Sequence, residues 1–269
     1  MLKDITFGQY FESDSFVHKL DPRTKLLLLF VIIVFIFISQ NWISLTLVAM
    51  LIFFSMILSK IPLKMYLKNL KAILPIIIFT LIINVFYNTS GDVLLSFWKL
   101  TITTGSLYRA IYMAVRIMLL IIASAELTYT TTPNDLTDAI EKLLSPLKFL
   151  GLKNAVHILA MMMTIALRFI PTLIEETQKI MSAQKARGAD LENGKLIERI
   201  KALVPILIPL LISSVRRAYE LAEAMECRCY NGGEGRVRMK QLKYKADDFL
   251  SFVIVLLICS TVIAINIIL

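Results

Sequence analysis

Two arginines stand in short, similar settings within a chain that is otherwise strongly apolar. Arg187 lies in Gln184-Lys185-Ala186-Arg187-Gly188-Ala189-Asp190, and Arg228 in Met225-Glu226-Cys227-Arg228-Cys229-Tyr230. A guanidinium can hold a carboxylate through two parallel hydrogen bonds, a fork that a lysine ammonium does not reproduce. Both segments end charged, helix-patterned stretches that cannot sit in lipid, so they face water or another protein. A plainer use is also open to them, because Lys and Arg at a helix C-terminus complement the helix dipole. Gly188 follows Arg187 directly, where a C-cap glycine would sit. The next helical pattern begins near Leu196 and runs to Arg228, up to about 50 Å of helix at 1.5 Å per residue. The two arginines then stand near opposite ends of one long helix and cannot share a site. They can make two similar sites, one for each of two partner subunits.

Other chemistry is thinly represented. Glu226-Cys227-Arg228-Cys229 hints at metal, but a bare Cys-x-Cys lacks further ligands nearby, and His18 and His157 are distant in sequence. The same scarcity argues against a Cys-His nucleophile. Glu175 and Glu176 read as a solvated face or as ion-pair partners (Glu175 with Lys179), not as an acid–base pair. There is no GxxxxGK[ST] loop and no GxGxxG turn, so ATP is not expected to bind this chain, and no cofactor is expected. The three cysteines form no disulfide framework, which suits a reducing, cytoplasmic side.

The elements that must carry these residues are mostly membrane helices. Of 269 residues 57% are hydrophobic, and the mean hydropathy is +0.73, which together indicate an integral membrane protein. The net charge of +9 reads as cytoplasmic loops. It does not read as nucleic-acid binding, because the basic residues are interleaved with acids and long apolar runs. Residues 1–20 lack the basic-then-apolar layout of a cleaved signal peptide, so insertion is expected to rely on the first span.

Apolar runs over residues 26–39 and 42–58, joined at Gln40-Asn41, predict two short helices. Lys60, Lys64, Lys68 and Lys71 mark an interfacial segment before a third span at 72–87. Residues 88–104 read as a polar loop anchored by Trp98. A fourth span covers about 107–127 and contains Arg109, Arg116 and Glu126. For Arg109 and Glu126 the expected role is snorkelling at the interface, and for Arg116 an internal partner. Lysine-rich loops set the N-terminus and the 60–71 loop in the cytoplasm and 88–104 outside. Residues 249–269 carry no charge and make the cleanest span, leaving the C-terminus outside.

The middle of the chain differs. Thr132-Pro133-Asn134-Asp135-Leu136 starts an amphipathic helix. Long helices follow over 154–187 and 196–228, each with an apolar half (155–167 and 202–215) and a charged half. Those halves are short for spans, so burial against other helices or a place at the membrane surface is expected ahead of a transmembrane hairpin. Ser214, Ala218 and Ala222, with Ala183 and Ala186, suggest a close crossing through small residues. The expected fold is all-α and polytopic, with about five or more transmembrane helices and long amphipathic coupling helices. The expected divisions are N-terminal membrane helices at 1–129, cytoplasmic or interfacial coupling helices at 130–245 and a C-terminal membrane helix at 246–269.

Nearly the whole chain resembles the transmembrane T component of energy-coupling factor transporters, a branch of the ABC transporters for vitamins and metal ions. Leu20-Asp21-Pro22-Arg23-Thr24-Lys25-Leu26 is similar to the family's segment before the first span. Leu127-Thr128-x-Thr130-Thr131-x-Pro133-x-Asp135-Leu136 and Leu167-Arg168-Phe169-Ile170-Pro171 resemble its middle motifs. Ala186-Arg187-Gly188 matches the first of its two Ala-Arg-Gly motifs. The second stands here as Cys227-Arg228-Cys229, with the arginine kept and both flanking small residues replaced by cysteine.

The resemblance implies partners: two cytoplasmic ABC ATPase subunits, a membrane substrate-binding (S) subunit and the lipid bilayer. It implies that each motif arginine docks into a groove on one ATPase, and that the chain has no catalysis of its own. A self-contained secondary transporter is the alternative, but it needs a polar path that these spans barely supply. A membrane-bound enzyme would need a cluster of His, Asp or Cys near the membrane face.

Overall fold

The computed structural model describes residues 10–87, 93–97, 100–145, 153–189, 196–231 and 242–268. Nine helices occur among them: α1 (Phe16–Lys19), α2 (Pro22–Ile38), α3 (Trp42–Ser59), α4 (Leu63–Tyr87), α5 (Thr104–Thr130), α6 (Pro133–Leu143), α7 (Lys153–Ala186), α8 (Leu196–Cys227) and α9 (Ala246–Ile268). The protein is an all-α polytopic membrane protein with one small exception. Strands β1 (Val93–Phe97) and β2 (Leu100–Thr103) form an antiparallel hairpin inside the stretch expected to be loop, pairing Phe97 with Leu100. Both strands are rich in the branched and aromatic residues that suit extended backbone.

Among the described residues, six helices are long and apolar enough to cross a membrane: α3, α4, α5, α7, α8 and α9. With 17 residues, α2 is about 26 Å long, slightly under the ~30 Å hydrocarbon thickness. The lysine-marked segment does not stand apart from the third span. It runs into it as the single helix α4, with Pro75 inside. The lost hydrogen bond falls on an exposed stretch.

The chain divides into two compact units, residues 8–139 with 240–269 and residues 1–7 with 140–239. In the first, α5 packs against α2, α3 and α4, and α9 packs against α2 and α3. The core is Ile36, Leu45, Val48, Ile52, Tyr112, Leu119, Ala123 and Val262. Ala110, Ala114, Ala123 and Ala125 are all buried on α5, so its neighbours approach closely. Outward faces stay apolar, as at Met50, Phe53 and Phe79, which suits a lipid surround.

Polar groups in this unit are spent on helix ends. The Arg116 guanidinium and the Tyr112 hydroxyl both donate to the carbonyl of Ser39, and Asn266 Nδ2 donates to that of Ile38 at 3.0 Å. These are the carbonyls that α2 leaves unpaired at its C-terminus. Arg116 thus has the internal partner expected of it. Glu126 is not a snorkelling group, because it is part-buried and accepts a 2.7 Å bond from Ser55 on α3.

At the other end of α2, Asp21 caps the helix by accepting from the Arg23 N–H at 2.9 Å. Arg23 grips both oxygens of the same carboxylate and lies 4.0 Å from the centre of the Tyr244 ring. The Asp21 N–H donates to Asp248 at 2.7 Å, and Lys25 Nζ donates to the last carbonyl of α5, Thr130, at 2.8 Å. Burial pushes the Asp21 carboxyl up, but its bonds and charge pairing with Arg23 outweigh that and hold it below the usual carboxylate range. The Asp-Pro-Arg-Thr-Lys segment is therefore a knot that ties α2 to α5 and α9.

Candidate functional site

The second unit holds the motif arginines. Helix α7 ends at Ala186. Beyond it the Gly188 N–H donates to the Lys185 carbonyl and the Ala189 N–H to that of Gln184, both at 3.0 Å. The pair of bonds makes a Schellman cap, with Arg187 as the cap residue and Gly188 in the left-handed region at φ +85°. A Cβ added to Gly188 would meet nothing within 4 Å, so only backbone conformation demands glycine there.

Helix α8 ends in the same way. The Cys229 N–H donates to the Glu226 carbonyl at 2.8 Å and the Tyr230 N–H to that of Met225 at 3.0 Å. Arg228 is the cap residue, and Cys229 takes the left-handed conformation at φ 54°. The two segments therefore share one backbone form although only one has glycine. Ala186 and Cys227 are the last helical residues, and Arg187, Gly188, Arg228 and Cys229 form the turns that follow. All six side-chain positions are exposed. Among the described residues neither guanidinium has a hydrogen-bond or ion-pair partner.

The two helices are antiparallel. Tyr230, just past the end of α8, donates its hydroxyl to Met161 Sδ in the first half of α7 at 3.0 Å. Midway along the pair, Glu176 of α7 accepts a short hydrogen bond from Ser213 and lies 2.9 Å from Arg217 Nη2. Ser213 and Arg217 are one turn apart on α8, so a single carboxylate clasps one face of that helix. Arg187 lies 11 residues beyond Glu176 on α7 and Arg228 lies 11 beyond Arg217 on α8, in opposite directions along the antiparallel pair, so about 33 Å of helix separates them.

This corrects one expectation and fills in another, the reading of Glu176 as an ion-pair partner. Ala183, Ala186, Ala218 and Ala222 are exposed and do not line the crossing, which the polar clasp forms instead. Glu176 is bound across the pair to Arg217, an assignment that charge spacing along one helix could not reveal. The signal was present as Ser213 and Arg217 on the α8 face, but nothing local says which α7 carboxylate they meet. The apolar halves of α7 and α8 are largely exposed, as at Leu159 and Met162 on α7 and Leu207, Leu211 and Ile212 on α8, although Val156, Ala160 and Ile206 are buried. His157 lies 3.4 Å from Glu141 in the same unit. Among the described residues no three His, Cys, Asp or Glu side chains gather as a metal site would require.

Among the described residues the pair gathers no metal-ligating cluster, and it presents two separated exposed guanidinium groups. A family described as "Cobalt transport protein", CbiQ, matches residues 13–239. The chain belongs to the CbiQ family. Its relatives are transporter membrane components and not catalytic enzymes. A protein of Ruminiclostridium cellulolyticum is 53% identical over 250 residues, covering 93% of this chain and 92% of the relative. One from Clostridium kluyveri is 49% identical over 266 residues, and one from Lactococcus lactis subsp. cremoris 42% over 264, each covering 98% of both chains. All three bear the name "Energy-coupling factor transporter transmembrane protein EcfT". This CbiQ-family chain is a multi-pass membrane component of that class of transporter.

Proposed function

We propose that the chain is the coupling subunit of an ATP-driven importer. It carries the motion of two cytoplasmic ATPase subunits, docked at Arg187 and Arg228, to a membrane subunit that captures a vitamin or a metal ion. The carrying observation is the pair of matching Schellman caps, each presenting an exposed arginine at one end of the antiparallel helix pair. The relatives' names support the transporter class. The lysine count along the chain supports a cytoplasmic N-terminus and coupling pair, with the C-terminus outside.

The position of α7 and α8 follows from the same reading. Full passage of α8 through a bilayer would put Arg187 and Arg228 on opposite sides, where only one could meet a cytoplasmic partner. Both ends carry charge that cannot sit in lipid, with Lys185 and Arg187 at one and Glu220, Glu223, Glu226 and Arg228 at the other. That charge keeps both ends out of the bilayer, so the pair lies along the membrane face with its apolar surface turned to lipid or to the capture subunit. ATP binding closes the ATPase pair and shifts the two docking points. Because Glu176 clasps the helices, the pair tilts as one lever and reorients the capture subunit.

Co-purification tests the reading. Arg187→Glu together with Arg228→Glu should abolish recovery of the ATPase subunits with the full-length chain in detergent. Recovery of a normal complex from that variant would sink the docking assignment.

A further inference from the structure

The two caps differ in one chemical respect. Arg187 is flanked by Ala186 and Gly188, which have no nucleophile, whereas Arg228 is flanked by two thiols. Both Cys227 and Cys229 are free and exposed. The third cysteine, Cys259, is 4% exposed within α9 and serves as an internal control. The thiols are the last helical residue and the left-handed residue of the cap, one on each side of the arginine. The cap is itself anchored, since Tyr230 follows Cys229 and bonds Met161 on α7.

We propose that Cys227 and Cys229 form a reversible modification site for low-molecular-weight disulfides, and that an adduct there closes the α8 docking point while leaving the α7 point open. This rests on the docking reading above. The step is a thiol–disulfide exchange. A thiolate of Cys227 or Cys229 attacks one sulfur of the small disulfide, whose S–S bond breaks. A mixed S–S bond forms to the protein, and the other half departs as a thiolate that takes up a proton. The protein sulfur is oxidised and the leaving sulfur reduced, and an excess of small thiol reverses the exchange.

A peptide-like adduct acts in two ways. Its bulk holds a partner surface away from the cap. Its carboxylates sit within reach of the Arg228 guanidinium and occupy the fork that a partner carboxylate would use. The α7 cap offers no sulfur for the same reaction, so the two docking points respond differently to one reagent. In an assembled complex the docking face is covered, and the site therefore acts on the chain before the ATPases bind.

Membranes containing the full-length chain would be treated with oxidised glutathione and washed. Half would be analysed by peptide mass spectrometry, and half incubated with the ATPase pair and solubilised for pull-down. The same protocol would be run on Cys227→Ala together with Cys229→Gly, and each chain read as its ratio of treated to untreated recovery. Glutathione should appear at Cys227 or Cys229 and not at Cys259. Wild-type recovery should fall by at least about tenfold, because losing one of two linked contacts removes the gain from simultaneous binding. The ratio for the cysteine-free cap should stay near one, and added reduced thiol should restore wild-type recovery. Failure of the pair to take glutathione, or full modification with unchanged recovery, overturns the proposal. An untreated Arg187→Glu, Arg228→Glu chain separates the two ideas: if it binds ATPases normally, docking itself falls and the gate with it. If it loses them while thiolated wild type does not, only the thiol gate falls.

Discussion

Cys229 occupies on α8 the backbone position that Gly188 occupies on α7: each follows a cap arginine, and each is left-handed, at φ 54° and +85°. For a residue with a Cβ this conformation costs about 1–2 kcal/mol, part of which glycine gives back through its greater freedom when unfolded. Cys229→Gly should therefore stabilise the chain slightly, by about 0.5 kcal/mol. Gly188→Ala should destabilise it by about 1 kcal/mol, wholly through backbone conformation since its Cβ meets nothing. Thermal melts of the two variants in one detergent should move in opposite directions. A shift of the same sign in both would contradict the shared cap geometry.

Replacing Arg228 with lysine keeps the charge and removes the fork. If docking uses two parallel hydrogen bonds, Arg228→Lys should weaken ATPase association by about 1.5 kcal/mol, roughly tenfold. Arg187→Lys should do the same. A titrated pull-down at fixed ionic strength reads the effect. Equal affinity for lysine and arginine would mean that a point charge suffices.

The arginine at the end of α7 was legible in sequence because Gly188 announced the cap. The cap at Cys229 was not, because nothing about cysteine signals a left-handed residue, and only the two backbone bonds reveal it. Helix existence was legible from apolar runs and lysine spacing, since both follow from the solvent on each side of the chain. Pairing was not. Small residues at 183, 186, 218 and 222 gave a reasonable face for a crossing, yet they are exposed, and the contact runs through Glu176. A carboxylate's partner across two helices depends on their relative rotation, which no single helix encodes. The same holds for Arg116, whose partner is the carbonyl end of a helix 77 residues away.

The clasp at Glu176 gives a direct test of coupling within the α7–α8 pair. Arg217 is partly exposed, so its ion pair with Glu176 should be modest, about 1 kcal/mol in a double-mutant cycle of Glu176→Gln and Arg217→Gln. If the pair works as the proposed lever, the effect on transport should exceed the effect on stability. ATP-driven uptake by reconstituted Glu176→Gln protein should drop several-fold while ATPase subunits remain bound. Unchanged uptake would show that the lever does not depend on this contact.

His18 makes one part of the fold sensitive to acid. Its ring lies between two groups, with Nε2 2.8 Å from the Phe11 carbonyl and Nδ1 2.6 Å from Ser15 Oγ. A carbonyl only accepts, so Nε2 carries the proton and Nδ1 accepts from the serine hydroxyl. Burial lowers the His18 pKa from its ordinary value and Lys25 adds to this, while the Phe11 carbonyl opposes it. The folded chain thus favours neutral histidine, and the unfolded chain binds the proton more readily. The contribution to stability is complete above the unfolded value of about 6.5 and is lost as pH falls through the lower folded value. Melting temperature should therefore decline on going from about pH 7 to pH 5, with part of that slope absent in His18→Gln, which keeps a donor for Phe11 but does not titrate. If wild type and variant decline in parallel over that range, His18 is not a source of the acid sensitivity.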